Sequence, residues 1–319
     1  MNPTLRIAHA TRRLSGVVLL ALLGAAAVFF VMRAGHGDPA LTALGDQATP
    51  EAIAAFHKKW GLDAPLVVQF WRWLSAAALG DFGQSLTVAG GVPIARLIGS
   101  RLPNTMFVGV YALSLAVLVS LVAGTVSALR HGRAVDTVAT SLAVLGISMP
   151  DFWLSYVLIY VLALGSGLFP SYGFVSPAES LAGALYSGFL PALAIAAPMA
   201  ASFTRILRTA LIETLHHDHV RVARSLGHSG AFIFVHHVFR NALIPYVTVI
   251  GLQVRYLLGG TVVVERIFGI PGIGALMVDA AFGRDYPLVQ ACALTFLICV
   301  LIVNLVVDLV CTALNPRAA

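Results

Sequence analysis

Charge is what this sequence has least of. Only 11% of its 319 residues are Asp, Glu, Lys or Arg, against 59% hydrophobic, and the mean hydropathy is +0.89. Soluble globular domains carry about 25% charged residues. A chain with less than half that share cannot clothe a water-facing surface, so lipid is its main solvent. Lysine is almost missing: Lys58 and Lys59 stand side by side and no other occurs. No G-x-x-x-x-G-K-[ST] sequence exists, which excludes a phosphate-binding loop of that type. Cysteine is scarce, and Cys292, Cys299 and Cys311 all fall in the last apolar segment. There they read as packing residues, not as a disulfide framework. Nucleic-acid-binding motifs are absent, so the net charge of +6 reports membrane topology instead.

What is present is a series of apolar runs. A helix needs about 20 apolar residues to cross a hydrocarbon core of about 30 Å. Six runs qualify: 14–32, 105–129, 137–164, 181–204, 242–264 and 288–307. The first is longer than the apolar part of a signal peptide and has no A-x-A site after it, which predicts an uncleaved span. Lipid forces backbone groups to pair internally, so each run is expected to be helical, giving an all-α polytopic chain. The third is interrupted by Pro150 and Asp151, the fourth contains Pro191 and Pro198, and the fifth contains Arg255. Arginine concentrates in residues 1–13, in the 130–136 turn (Arg130, Arg133) and in 205–240, which has five. The 165–180 loop has none. The positive-inside rule then places both termini and the 205–240 loop in the cytoplasm, and residues 33–101 outside. The expected plan is a tail at 1–13, a first span at 14–32, an outer loop at 33–101, a core at 105–307 and a tail at 308–319. Within the outer loop, Pro50–Trp60 reads as a short helix with Thr49 as its N-cap.

The 216–237 stretch holds six of the ten histidines. Three uses are conceivable. A metal site would favour an i,i+4 pair, and His216, His217, His219, His228, His236 and His237 contain none. A serine nucleophile at Ser229, within a G-x-S-G pattern resembling that of rhomboid proteases, would need a later histidine base, and none follows His237. The third use is a docking element: two short helices broken at residues 227–230, with Val220, Ala223 and Leu226 forming an apolar face at helical spacing.

The stretch VRVARSLGHSGAFIFVHHVFRNALIP decides among them. It resembles the cytoplasmic signature loop of ABC importer permeases, and more closely that of the dipeptide/oligopeptide/nickel group. Arg221, Ala223, Arg224, Gly227, His237, Arg240, Asn241, Ala242, Leu243 and Pro245 carry the match. Gly37-Asp38-Pro39-Ala40 marks the first permease type of that group. Further matches are Gly80-Asp81-Phe82-Gly83-Gln84-Ser85, Pro150-Asp151-Phe152-Trp153, the run from Val264 to Gly274, Arg284-Asp285-Tyr286-Pro287 and Asn315-Pro316-Arg317. His219 stands where the group has an aromatic Tyr, and Ser225 where it has Ala. Only His237 of the six histidines belongs to the pattern, so the others are expected to be incidental surface.

The resemblance implies a type I ABC importer permease fold with six spans in a bacterial inner membrane. It further implies a second homologous permease, two ATPase subunits carrying ATP and Mg, and an extracytoplasmic binding protein. This chain itself would bind no cofactor or metal and catalyse nothing. Arg221, Ala223, Arg224, Leu226, Gly227, His237 and Arg240 are the expected ATPase-coupling residues. Asp151 and Arg255 are costly within lipid and must face protein or a water-filled pathway. They either pair with one another or line the translocation path, with Arg255 as a contact for a carboxylate. Glu265, Phe268, Pro271, Gly272 and Gly274 form either an outer gate or a plain tight turn. Di- and oligopeptides are the expected substrates, with nickel or glutathione as the alternatives within the group. A secondary carrier or an intramembrane protease is the alternative of a different class.

Overall fold

The computed structural model describes residues 3–34, 39–45 and 48–314. The side chains of residues 3–14, 34, 39, 42, 43, 255, 258 and 309–314 lie outside that description. Among the described residues every regular element is helical, apart from one isolated bridge between Gln84 and Pro93. The chain forms two compact units, Met1–Pro103 with Gly272–Ile302, and Asn104–Pro271 with Val303–Ala319. Five helices are long and apolar enough to span a membrane, and counting each of two interrupted helix pairs as a span gives seven. The six expected spans correspond to the five plus the interrupted pair at 134–165.

The first unit begins with α1 (Pro3–Ala34), followed by the short helices α2 (Pro39–Leu44), α3 (Pro50–Trp60) and α4 (Leu66–Ala78). Helix α3 has the expected start: the Thr49 hydroxyl accepts a hydrogen bond from the Ala52 amide at 3.2 Å. It ends at Gly61, whose left-handed φ of 64° returns its amide to the carbonyls of His57 and Lys58. Phe29 of α1 meets Phe70 of α4 edge to face at 5.5 Å, and Leu294 closes this small core. Helix α5 (Ile94–Leu129) starts well before the expected Thr105. Ile94, Ile98 and Leu102, at four-residue spacing, pack against Ile273, Leu276 and Leu288, and this apolar stripe extends the helix outward past Arg101. The stripe's partners lie on α13 (Ile273–Phe282) and α14 (Tyr286–Leu314).

One carboxylate organises this unit. Asp285 is fully buried at the start of α14. Its Oδ2 accepts hydrogen bonds from the Ser85 hydroxyl at 2.6 Å and from the amides of Leu86, Thr87 and Val88 at 2.8, 3.0 and 3.2 Å. Its Oδ1 accepts from the Leu288 amide at 3.3 Å, capping the helix. Thr87 adds a bond from its hydroxyl to the Gly283 carbonyl at 2.8 Å. Arg284 takes a left-handed φ of 53°, uncommon for a side-chain-bearing residue, to aim the carboxylate inward. The Gly80–Ser85 and Arg284–Pro287 segments, some 200 residues apart, are therefore two halves of one latch.

The second unit contains the rest of α5, then α6 (Ala134–Ser148) and α7 (Asp151–Leu158), which continues as wide π-helical turns over Ile159–Gly165. Pro150 breaks the third run sharply, with the two halves bent by 110°. Then come α8 (Leu181–Ser187), α9 (Phe189–Leu215), α10 (Asp218–Ser225) and α11 (Gly230–Ile233). A π-helical stretch, Phe234–Phe239, joins α11 to α12 (Arg240–Phe268) without a break. Helix α9 is the spine. Its Ile195, Met199, Phe203, Leu207 and Leu211, each four residues from the next, are all fully buried. Within lipid there is little hydrophobic drive between helices, so close fit and dispersion hold them. Small residues provide that fit: a Cβ added at Gly146 would stand 3.1 Å from Ala201, and one at Gly124 would stand 3.1 Å from Leu207.

Two further boundaries differ from expectation. The fourth run was expected to end at Thr204, yet α9 continues to Leu215 because its buried stripe continues through Leu207 and Leu211. The helix that holds the fifth run starts at Gly230, twelve residues earlier than 242. Residues 205–240 thus hold the end of α9, the short helices α10 and α11, and the π-helical stretch.

Replacing Asp285 by Ala should leave a hydroxyl and four amides without their acceptor. A cost of about 3–5 kcal/mol follows from buried donors left unsatisfied. The measurable result is a lower melting temperature in detergent and faster proteolytic nicking within residues 85–92.

Candidate functional site

The 216–237 stretch holds α10, α11 and the start of the π-helical stretch. Helix α10 turns Val220 and Ala223 into the core, where both are buried beside Ile233 and Val238. Leu226, expected on the same apolar face, points outward and is 71% exposed. The expected three-residue face is thereby corrected: position 226 lies beyond the helix, in the turn, where its neighbours' periodicity no longer applies. The outward surface instead presents Arg221, Val222, Arg224 and Leu226. Arg221 pairs with Asp218 at 3.6 Å on the open surface, a contact of little energetic weight.

Gly227 ends α10 with φ +81° and returns its amide to the Arg224 carbonyl at 3.0 Å. A Cβ built there would meet no atom within 4 Å, so within this chain the demand on glycine comes from the backbone, not from space. Ser229 then caps α11 by accepting from the Phe232 amide at 3.3 Å. This explains the G-x-S-G pattern as a stop signal followed by a start signal.

Among the described residues no group of His, Cys, Asp or Glu could hold a metal ion. The five histidines of this stretch other than His237 are exposed, as expected of incidental surface. His228 and His236 stack against Phe232 at 4.8 and 4.4 Å, and His237 meets the same ring at 5.9 Å. His237 is half-buried, its carbonyl accepting from the Asn241 side-chain amide at 2.7 Å, while Arg240 is exposed.

A second cluster braces α9 just before this element. Asp136, in the first turn of α6, is buried. Arg208 of α9 grips it with two bonds, Nε to Oδ1 at 2.6 Å and Nη2 to Oδ2 at 2.8 Å. The Ser127 hydroxyl, the Gly132 amide and His131 Nδ1 complete the shell at 2.5, 2.9 and 3.0 Å. The end of α5, the 130–133 turn, α6 and α9 are pinned at one point. Sequence reasoning passed over both residues. The available signal was an acid in a helix's first turn beside an arginine-rich turn, in a chain with only 14 acidic residues.

Asp151 opens α7 just after Pro150 and is half-buried. Among the described residues its carboxylate has one hydrogen-bond partner, the Tyr256 hydroxyl at 3.4 Å. It borders a cleft of about 420 Å³. Arg255 lies on α12, but its side chain is outside the description, as is any Asp151–Arg255 pairing.

The expected gate residues divide. In the second unit Glu265 is fully buried and accepts from the Thr105 hydroxyl at 2.7 Å, and Phe268 is equally enclosed. Gly269 ends α12 with a left-handed φ of 67° under the Tyr172 ring, which a Cβ would strike. The Phe268 carbonyl accepts from the Gly173 amide at 2.8 Å, and the Pro271 carbonyl from the Asn104 side chain at 2.9 Å. In the first unit Gly272 caps α13, and Gly274 is buried in its first turn.

The chain matches two families of known proteins. Residues 116–319 match the binding-protein-dependent transport system inner membrane component, and residues 6–106 its N-terminal companion. It is 35% identical over 306 residues to a probable peptide ABC transporter permease protein, y4tP, of Sinorhizobium fredii, covering 96% of this chain and 97% of that one. It is 36% identical over 308 residues to the glutathione transport system permease protein GsiC of Salmonella paratyphi A and of Escherichia coli K12, covering 97% of each chain. Among solved structures, it is similar to a chain from the crystal structure of an amino acid ABC transporter with histidines. The TM-score is 0.54, at 17% identity over 67% of this chain and 92% of that one. That likeness extends to the fold.

The Asp136–Arg208 grip yields a measurable coupling. Asp136→Ala and Arg208→Ala should each destabilise strongly, since each leaves a charge without its partner. The double variant should be less harmful than the sum, with a coupling of at least about 1.5 kcal/mol in a thermal double-mutant cycle. Additive effects would mean that the two side chains act separately.

Proposed function

We propose the following reading for a chain that belongs to the family of binding-protein-dependent transport system inner membrane components: it forms one half of the translocation pathway of an ATP-driven importer of short peptides. Its partners are a second, homologous permease, two ATPase subunits and an extracytoplasmic substrate-binding protein. The named relatives, a probable peptide permease and glutathione permeases, favour peptide-type substrates over nickel. Glutathione, itself a tripeptide, is the second reading that those names favour.

The observation that carries the assignment of the coupling element is the two-sided character of α10. Val220 and Ala223 fix it to the core, while Arg221, Val222, Arg224 and Leu226 stand outward for a partner. Helices α9 and α12 continue from it into the spans as unbroken rods, and the Asp136–Arg208 grip stiffens the first of them. A push on α10 would therefore move helices instead of being absorbed by a loop. Both termini and α10 lie on the cytoplasmic side in this reading, following the arginine distribution. Asp151 and Arg255 line the pathway. Glu265, Phe268, Pro271, Gly272 and Gly274 belong to its outer closure, with the buried Glu265 and Phe268 as anchors.

Affinity purification from the native membrane should recover two kinds of partner, an ABC ATPase and a second permease. Recovery of this chain alone, stable and without an ATPase, would refute the reading. Gly227 gives the residue-level check. Gly227→Asn tolerates the left-handed turn and should keep ATP-driven uptake within about twofold, whereas Gly227→Val should lose about tenfold or more. Equal loss in both would place the constraint on the partner's surface, and full activity of the Val variant would remove Gly227 from the coupling element.

A further inference from the structure

The cleft beside Asp151 is out of keeping with its surroundings. The helices that form it, α6, α7, α9 and α12, are predominantly apolar, yet polar groups converge here. Asp151, Ser148, Ser202, Gln253 and Tyr256 all line it. Among the described residues the Gln253 amide and the Ser202 hydroxyl make no hydrogen bond, and the Asp151 carboxylate has only the long one from Tyr256. Ser148 returns its hydroxyl to the Val144 carbonyl at 2.9 Å. Unengaged polar groups at membrane depth are costly unless they face water or a ligand. Gly260 stands beside this carboxylate: a Cβ there would come to 3.0 Å from it.

Resting on the peptide reading above, we propose that this cleft is a transit subsite for the free ammonium group of the substrate, received by the Asp151 carboxylate. Three features select an ammonium. The carboxylate supplies the opposite charge, and it forms no ion pair with any described residue. The Tyr256 ring, half exposed on the cleft wall, offers a face to a cation. A space of about 420 Å³ exceeds a cage for a bare metal ion and accommodates a residue-sized group. Gln253 and Ser202 are then left to bond the first peptide group. Held by one carboxylate in an open cleft, the ammonium is bound weakly enough to leave, as a conduit requires.

The test uses the complete importer with its binding protein in proteoliposomes. Asp151→Asn keeps the size of the side chain and can still accept from Tyr256, so a purely structural role would survive it. The expected result is a tenfold or greater loss in uptake of alanyl-alanine or glutathione per ATP hydrolysed, with binding-protein-stimulated hydrolysis within twofold of the parent. Unchanged uptake per ATP would overturn the proposal. A second readout does not depend on transport: iodoacetamide labelling of Ser148→Cys within the complex, read by mass spectrometry. Alanyl-alanine should slow labelling at least threefold, N-acetyl-alanyl-alanine should not, and Asp151→Asn should abolish the difference. Equal slowing by both probes, or none, would sink the ammonium assignment. If the parent importer carries neither free-amine peptide, the peptide reading fails, and the labelling result still decides whether the cleft takes an ammonium.

Discussion

Lipid offers no hydrogen bonds, and that single constraint governs where this chain can bend. A helix satisfies its own backbone, so each interruption frees groups that need another partner. The chain meets that need with buried side chains, two of the three drawn from far away in sequence. Asp285 takes up the amides of residues 86–88, Asp136 that of Gly132, and Asn104 the carbonyl of Pro271. Two of the three are carboxylates, which accept several amide bonds at once and hold them more strongly than a neutral group would. Asp285 and Asp136 both hold turns in this way.

This arrangement bears on how small the proposed coupling element is. With α9 anchored through Arg208 and its stripe of four-residue spacing, the proposed docking surface consists of the eight residues of α10 and a glycine turn. The inward pair Val220 and Ala223 fixes the rotation of that helix about its own axis. The identity of its outward residues is then free to follow a partner. His228 and His236 stack on Phe232 and His237 meets its edge along the path through α11.

Much of this was legible from pattern alone. Apolar runs long enough to cross a bilayer located the helices, Thr49 located the start of α3, and Gly227 the end of α10, because each of these signals is local. What escaped was set by contacts distant in sequence. The early start of α5 follows from Ile94 and Ile98 meeting α13 and α14, which no window around residue 94 contains. The continuation of α9 past Thr204 follows from Leu207 and Leu211 finding a core. Leu226 was misplaced because periodicity was extended one residue beyond the helix that justified it. The Ser85–Asp285 latch was present as two matched motifs, but a motif says nothing of its counterpart. Asp136 and Arg208 went unmarked because charges near a membrane surface are ordinarily free.

The π-helical stretch at Phe234–Phe239 has a consequence for how sequences of this kind can vary. A wide turn holds one residue more than an α-turn, so it offsets the phase of everything beyond it by about 100°. Tyr246 meets Ser120, and Tyr256 meets Asp151, beyond that offset. Removing a single residue there would preserve a continuous helix and an equally apolar span, yet rotate both tyrosines away from their partners. The segment acts as a vernier: composition around it can drift, but its residue count cannot.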